Sequence, residues 1–351
     1  KLLILDEPTS SLNEDDSANL LQLLRDLQKE GVTSVMISHR LKEVVEIADT
    51  ITVLRDGATI CSMDATGQKV PESEIIKNMV GREITDIYPD REKKDFGEVA
   101  LEVKNWSVFD PSLGRQILDD ININVRKGEV VGIAGLMGAG RTELALSIFG
   151  NPTGYKIMGG QVFIEGRPVR FKNPAEAMNA GLAYVTEDRR RNGLILIQDI
   201  RFNTTISKLD KIIDGIVINE NEEIIQANKY KDDFNIKTPS IAQKVDNLSG
   251  GNKQKVSLAK CMFTDPKVLI LDEPTRGIDV GAKHEIYSIM NDLVRDGYSV
   301  IMISSELPEI LGMSDRIYVM AEGTITGELS KSEASEERIM AMATKTEEVR
   351  N

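Results

Sequence analysis

Two short apolar runs in this chain each end in a pair of carboxylates. Asp6 and Glu7 follow one run, and Asp272 and Glu273 follow the other. Short continuous apolar runs predict buried parallel strands, so each pair would lie at the end of a strand. One acid of such a pair can hold Mg²⁺ through its water shell while the other polarises an attacking water. We therefore assign Asp6 and Asp272 to metal and cofactor binding, and Glu7 and Glu273 to catalysis of phosphoryl transfer.

The two carboxylate pairs belong to an internal repeat. Residues 1–9 recur at 267–275, and the match continues without insertion to Gly57 and Gly323. The repeated unit alternates strands with helices, such as a helix over 17–30 with Leu20, Leu23, Leu24 and Leu27 on one face, which predicts an α/β domain with a mostly parallel sheet. A full upstream half precedes only the second copy. We expect the chain, which begins at Lys1, to be N-terminally truncated inside its first domain.

A glycine-rich turn lies between a predicted strand over 129–134 and a predicted helix over 143–149. Strand, glycine-rich turn and helix form the context of a P-loop, in which backbone N–H groups converge on phosphate oxygens at a helix N-terminus. The predicted ATP ligands in this turn are Gly135, Gly138, Gly140, Arg141, Thr142 and Glu143, and the Thr142 hydroxyl would also ligate Mg²⁺. Arg141 stands where a lysine is usual, and its planar fork replaces a compact point charge.

A second glycine-rich turn, Leu-Ser-Gly-Gly-Asn at 248–252, precedes another predicted helix. Ser249 with the amides of Gly250 and Gly251 would form a further anion cradle at that helix start. Together with the paired carboxylates, these motifs resemble those of the ABC transporter ATPases. The tandem arrangement resembles the fused two-cassette ATP-binding proteins of bacterial monosaccharide importers, in the ribose, xylose and multiple-sugar branch.

The resemblance implies an α/β fold of the P-loop NTPase class, with ABC-type nucleotide-binding domains that combine a mixed sheet core with a helical subdomain. Residues 1–90 would be the C-terminal part of a first nucleotide-binding domain. A polar linker over 91–98 would lead to a complete second domain over 99–351, with its helical subdomain at about 188–247.

The resemblance also implies two unequal sites. One would combine Asp6, Glu7 and His39, at the position of the family's switch histidine, with Ser249 and Gly251. The other would use the P-loop with Asp272 and Glu273. Glu187 occupies the position of the Q-loop glutamine and is assigned to cofactor binding, and Ser305 stands where His39 lies in the first copy. Lacking lysine, glutamine and histidine, the second site is expected to bind ATP and hydrolyse it slowly or not at all.

The same resemblance implies an ATPase that uses ATP and Mg²⁺ at the cytoplasmic face of a membrane. Its partners would be an integral-membrane sugar permease and, indirectly, a periplasmic or extracellular sugar-binding protein. The net charge of -13 argues against nucleic acid as a partner. No apolar stretch approaches the roughly 18 residues of a membrane span. The alternatives are a soluble tandem ABC ATPase acting on ribosomes or nucleic acid, and a non-catalytic nucleotide-binding module.

Two assignments stay open at this stage. The run Arg189–Arg191 is either a solvated charged segment or a contact for docking or interdomain ion pairs. The aromatic residue that stacks on adenine is Phe109 or Trp106, and Trp106 is better suited to the core.

Overall fold

The computed structural model describes residues 1–9, 14–38, 41–55, 57–67, 69–80, 88–91 and 95–344. They form two compact units, Lys1–Ile87 with Gly277–His284 and Tyr88–Arg276 with Glu285–Asn351. The division of the chain at 91–98 stays a prediction.

The first unit is a small α/β assembly. Its elements are β1 (Leu2–Asp6), α1 (Glu14–Lys29), β2 (Thr33–Ile37), α2 (Leu41–Ile47), β3 (Thr50–Arg55), β4 (Ala58–Asp64) and α3 (Glu72–Val80). Strands β1 and β2 pair in parallel, whereas β3 and β4 form an antiparallel hairpin. A small core of Leu41, Ile51, Val53, Val70 and Ile75 lies beneath the hairpin and α3.

Helix α1 confirms the predicted helix but corrects its buried face. Leu21 and Leu24 are buried, whereas Leu23 is 54% exposed. The buried positions begin at Ser17 and recur four and then three residues later, which is the spacing of one helix face. Leu23 lies off that face.

The second unit contains the remaining elements. Its strands are β5 (Val99–Asp110), β6 (Arg115–Arg126), β7 (Val130–Gly135), β8 (Lys156–Ile164), β9 (Arg167–Val169), β10 (Leu182–Val185), β11 (Ile213–Asp214), β12 (Val217–Ile218), β13 (Val268–Asp272), β14 (Ser299–Ile303), β15 (Arg316–Ala321) and β16 (Thr324–Ser330). The helices that follow α3 are α4 (Arg141–Ile148), α5 (Pro174–Asn179), α6 (Ile200–Thr205), α7 (Glu220–Asp233), α8 (Gly250–Met262), α9 (Val280–Arg295), α10 (Leu307–Met313) and α11 (Glu336–Ala343).

Two sheets enclose the core of the second unit. The central sheet has the order β10-β13-β14-β7-β15-β16, and only the pair β15–β16 is antiparallel. An antiparallel sheet of order β6-β5-β8-β9 packs apolar residues of β5 and β6 against the central sheet and α4. Trp106 is buried in this core, and its indole N–H donates to the Ser147 hydroxyl at 3.0 Å. The predicted α/β fold with a mixed sheet is confirmed.

The segment over 188–247 is helical only in part. It contains α6 and α7, but a two-stranded hairpin, β11–β12, interrupts it around Gly215. Helix α6 packs against α7 and α8, and the Tyr230 hydroxyl of α7 donates to the Met262 carbonyl at 3.0 Å.

The expectation that both carboxylate-bearing strands are buried is wrong for the first copy. Leu2 and Ile4 of β1 are 63% and 65% exposed, whereas every residue of β13 is buried. Strand β13 lies between β10 and β14 in its sheet, but β1 pairs only with β2 among the described residues. Burial of the repeated strand therefore depends on its neighbours and not on its own sequence.

Local geometry nevertheless follows the repeat closely. The Thr9 hydroxyl donates to the Glu43 carboxylate at 2.6 Å, and the equivalent Thr275 hydroxyl donates to Glu309 at 2.9 Å. The internal homology predicted from the sequence therefore extends to buried side-chain hydrogen bonds.

Arg316 and Glu129 form a buried ion pair whose disruption should destabilise the second unit. Arg316 Nε and Nη2 lie 2.9 and 3.1 Å from the two Glu129 oxygens, and Glu129 is 1% exposed. Arg316→Met strands a buried carboxylate, so we expect the free energy of unfolding to fall by about 3 to 5 kcal/mol. Denaturant titration followed by fluorescence of Trp106, the single tryptophan, measures this change.

The double variant Glu129→Leu with Arg316→Met is the control, because it removes both charges and should recover most of the lost stability. A single variant within about 1 kcal/mol of the parent would contradict the prediction, since that is the size of a surface pair.

Candidate functional site

The predicted phosphate turn joins β7 to α4, and two of its glycines, Gly135 and Gly140, are closely approached by neighbouring atoms. A Cβ on Gly135 would lie 2.5 Å from the Met320 carbonyl oxygen. Gly140 precedes α4 with φ of 99°, and a Cβ there would lie 2.8 Å from Leu118 Cδ2. The turn is anchored from the other side, because Gly323 N–H donates to the Ala139 carbonyl at 3.0 Å. The backbone N–H groups at the start of α4 are thus held in the arrangement that binds anions.

Asp272 ends β13 fully buried beside this turn. The Tyr184 hydroxyl donates to Asp272 Oδ2 at 2.8 Å, and Oδ1 has no hydrogen-bond partner among the described residues. Burial raises the pKa of Asp272, and the Tyr184 hydrogen bond and the nearby Thr142 hydroxyl oppose that rise. A buried carboxylate oxygen left without a donor, beside the hydroxyl of Thr142, fits a divalent cation. Asp272 and Thr142 would hold Mg²⁺, which would screen the charge of a bound phosphate.

Glu273 adopts the left-handed conformation, with φ of 49°. Its N–H donates to the Ile303 carbonyl at 2.9 Å, and the Ser305 hydroxyl donates to its Oε2 at 3.1 Å. Burial raises the pKa of Glu273 to about 7, although the Arg141 charge opposes this rise. Backbone strain of this kind costs about 1 to 3 kcal/mol and concentrates at functional sites.

Arg141 contacts the segments that follow the carboxyl ends of β13 and β14. Its Nη1 donates to the Ser304 carbonyl at 2.5 Å, and its Nη2 lies 3.9 Å from Glu273 Oε1. The Arg141 and Glu273 side chains are only 10% and 9% exposed. The guanidinium fork therefore spans a backbone carbonyl and the carboxylate, and a phosphate contact by Arg141 stays a prediction.

The second glycine-rich turn forms the N-terminus of α8. Ser249 caps the helix, and its hydroxyl oxygen accepts from Asn252 N and Nδ2 at 3.4 and 2.9 Å. Gly250 and Gly251 are the first two residues of α8, so the helix begins inside the glycine-rich turn and earlier than the predicted start near Lys253. Glu187, the Q-loop position, forms an ion pair with Arg276, a contact that the sequence did not reveal.

The first copy repeats part of this geometry. Asp6 ends β1, and Glu7 follows with φ of 48° and donates its N–H to the Ile37 carbonyl at 2.8 Å. His39 lies outside the described residues. The strained glutamate is therefore a property of the repeat, present in both copies.

Tyr184 and Ser305 contact the two carboxylates in ways that the sequence alone did not reveal. Tyr184 lies on β10, opposite Ile270 of β13, and only the strand order of the sheet brings its hydroxyl to Asp272. The repeat could have identified Ser305 as a contact of Glu273, because it occupies the position of His39.

Comparison with known proteins decides the family. The model of the ABC transporter family matches residues 118–276. The L-arabinose transport ATP-binding protein AraG of Geobacillus stearothermophilus is 57% identical over 99% of this chain and 67% of its own length. This chain belongs to the ABC transporter ATP-binding family. The xylose import ATP-binding protein XylG of Thermoanaerobacter pseudethanolicus is 53% identical over 98% of this ABC chain and 67% of its own length.

Solved structures show the same fold. The ATP-binding cassette MJ1267 of an ABC transporter superposes with a TM-score of 0.60 at 24% identity, over 70% of this ABC chain and 98% of that structure. A nucleotide-free ATP-binding cassette gives a TM-score of 0.59 at 22% identity, covering 70% of this chain and 98% of its own. Among the described residues of this ABC chain, no helix is both long and apolar enough to cross a membrane.

Tyr184→Phe should weaken the contribution of Mg²⁺ to nucleotide binding. The variant removes the hydroxyl that fixes the orientation of the Asp272 carboxylate, and a hydrogen bond to a charged group contributes about 1.5 to 3 kcal/mol. We expect the Mg²⁺-dependent gain in ATP affinity to fall about tenfold or more by calorimetry, while affinity in EDTA is unchanged.

Tyr298→Phe is the matched control. Tyr298 lies just before the first residue of β14, at the end of the parallel sheet opposite to the one that carries Asp272. Equal losses with and without Mg²⁺ in the Tyr184 variant would show that the hydroxyl supports the fold and not the metal site.

Proposed function

We propose that this chain binds ATP with Mg²⁺ and serves as the ATPase subunit of a bacterial importer of a monosaccharide, of the arabinose or xylose type. The observation that carries the proposal is the buried Asp272, with one oxygen held by Tyr184 and the other without a donor, beside the phosphate turn. The identities of 57% and 53% to the arabinose and xylose relatives support the assignment to sugar import.

The residues of the second unit would divide the work on the nucleotide. Backbone N–H groups over 135–142 and the positive end of α4 bind the phosphates, and Asp272 and Thr142 hold the Mg²⁺. Glu273 is already engaged by Arg141 and Ser305. A carboxylate with these partners is poorly placed to polarise water, so this site would retain ATP and turn it over slowly.

The remaining assignments concern hydrolysis and the second anion cradle. Glu7 would polarise the attacking water, with Asp6 on the metal and His39 at the γ-phosphate, because the first copy retains the histidine. Ser249, Gly250 and Gly251 would contact a nucleotide held by another cassette. Glu187 would lie close to Mg²⁺-bound phosphate, where its ion pair with Arg276 and the cation together offset its negative charge.

ATP titration of the chain by calorimetry with Mg²⁺, with hydrolysis followed in parallel, tests the proposal. We expect binding with negligible turnover. We also expect loss of binding in Gly140→Asp, because the new carboxylate would lie in the phosphate turn and repel the phosphates, at a left-handed position that favours glycine. Gly166→Asp is the matched control, since Gly166 has φ of 72° and open space around it in the β8–β9 turn.

Absence of binding in the parent chain would overturn the proposed nucleotide site. Binding that survives in Gly140→Asp would place the nucleotide away from the phosphate turn.

We further propose that a membrane permease docks on the β11–β12 hairpin at the cytoplasmic face of the membrane. A periplasmic or extracellular sugar-binding protein would act indirectly, through that permease. Four residues of this hairpin, Ile213, Ile216, Val217 and Ile218, are 42%, 99%, 65% and 42% exposed. A group of exposed branched aliphatic residues is typical of a surface that contacts a partner and not of one that stays in solvent. The relatives are transport proteins, which makes a permease the matching partner.

The double variant Ile216→Asp with Val217→Asp should lose the permease while retaining ATP binding, because a charge in an apolar contact is left without a partner. Co-purification with the co-expressed permease should fall by roughly tenfold or more. Met158→Asp, a charge placed on a residue that is 54% exposed on β8, is the control and should not reduce recovery. Recovery of ribosomes instead of the permease would favour a soluble tandem ATPase.

A further inference from the structure

The arginines at 189–191 are not equivalent in the structure. Arg190 and Arg191 are exposed, and Arg191 Nε lies 3.7 Å from Asp188. Arg189 is half-buried and points back into the protein. The interpretation of this run as a solvated charged segment therefore holds for Arg190 and Arg191 but not for Arg189.

Arg189 makes hydrogen bonds to two backbone carbonyls from different segments. Its Nη1 donates to the Gly250 carbonyl at 3.3 Å, and its Nη2 donates to the Arg276 carbonyl. Gly250 is the first residue of α8, which carries the second glycine-rich turn. Arg276 follows the strand that ends in Asp272. A planar guanidinium can span two acceptors in fixed directions, whereas a lysine ammonium offers one point charge.

The segment that carries Arg189 is itself fixed to α8. The Asp188 carboxylate accepts from Arg190 N and Arg191 N at 3.2 and 3.1 Å and thereby caps a single π-helical turn over 189–193. At the end of that turn, Lys260 of α8 donates its ammonium to the Gly193 carbonyl at 2.8 Å. The turn is therefore attached to both ends of α8, through Arg189 at the first residue and through Gly193 near the last turn.

Glu187 joins the same set of contacts. Its carboxylate pairs with the Arg276 side chain, while the Arg276 carbonyl accepts from Arg189. A displacement of Glu187 or Arg276 would thus change the hydrogen bonds that hold Gly250.

We propose that Arg189 is a positioning residue that couples Glu187 and the segment after Asp272 to the glycine-rich turn Ser249–Gly251. The inference rests on the proposed function, in which Glu187 and the turn have separate roles toward nucleotide. When nucleotide binds beside Asp272, a displacement of Glu187 and Arg276 would alter the hydrogen bonds of the Arg189 guanidinium. Those bonds hold Gly250, so the displacement is transmitted to the glycine-rich turn.

Hydrogen exchange of the whole chain, with and without Mg²⁺-ATP, tests the coupling in Arg189→Gln and Arg189→Lys. Without nucleotide, the amides of 249–252 should exchange at least about fivefold faster in both variants than in the parent. The reason is that the start of α8 loses the hydrogen bond from Arg189 to the Gly250 carbonyl. With Mg²⁺-ATP, the parent should change its protection at 249–252, and the variants should not. Calorimetric ATP affinity should stay within about twofold, because Arg189 does not contact the phosphate turn.

Arg190→Gln is the matched control, since it removes an exposed arginine from the same turn, and it should behave as the parent. The proposal is overturned if Arg189→Gln leaves exchange at 249–252 unchanged, or if its response to ATP equals that of the parent. It is also overturned if Arg190→Gln abolishes the response equally. If the parent chain binds no ATP, the proposed nucleotide site is refuted. The exchange rates measured without nucleotide still show whether Arg189 holds the turn at 249–252.

Discussion

The buried carboxylate of Asp272 is the constraint on which the nucleotide site depends. Burial disfavours an ionised carboxylate, yet a metal ligand has to be ionised. The fold opposes this penalty with the Tyr184 hydroxyl at 2.8 Å and leaves the second oxygen without a donor, where the proposed cation would bind. That solution requires β10 to lie next to β13 in parallel register, with Tyr184 opposite Ile270. The strand order of the central sheet is therefore a condition for the chemistry as well as for the core.

The two copies of the repeat separate what a local sequence determines from what its neighbours determine. Both copies hold their glutamate in the left-handed conformation, and both bond the threonine two residues later to a buried glutamate. These features involve only the strand, the following turn and the next strand and helix. Burial behaves differently, because Ile4 is 65% exposed while Ile270, its equivalent, is 1% exposed. The apolar run specifies a strand, and the adjacent strands determine whether that strand is buried in a core.

The same distinction explains how much the sequence predicted. The α/β fold, the glycine turn before α4 and the helix after Ser249 were predictable, because each depends on spacing within about a dozen residues. The contacts of Tyr184, Arg189 and Glu187 join segments separated by 60 to 90 positions, such as Tyr184 with Asp272. No periodicity encodes such pairs. The error at Leu23 has a smaller cause: the helix has five leucines between positions 20 and 27, which offer two candidate apolar faces, and packing selects one.

Arg141 and Ser305 differ from the lysine and histidine that the family resemblance leads one to expect, and the structure brings both to the same carboxylate. Arg141 lies 3.9 Å from one Glu273 oxygen, and Ser305 donates to the other at 3.1 Å. The two substitutions are therefore coupled through Glu273 and should not act additively. Restoring either residue alone would leave the glutamate held by the other. The slow site would then be a consequence of one engaged carboxylate, and not the sum of separate losses at the phosphates.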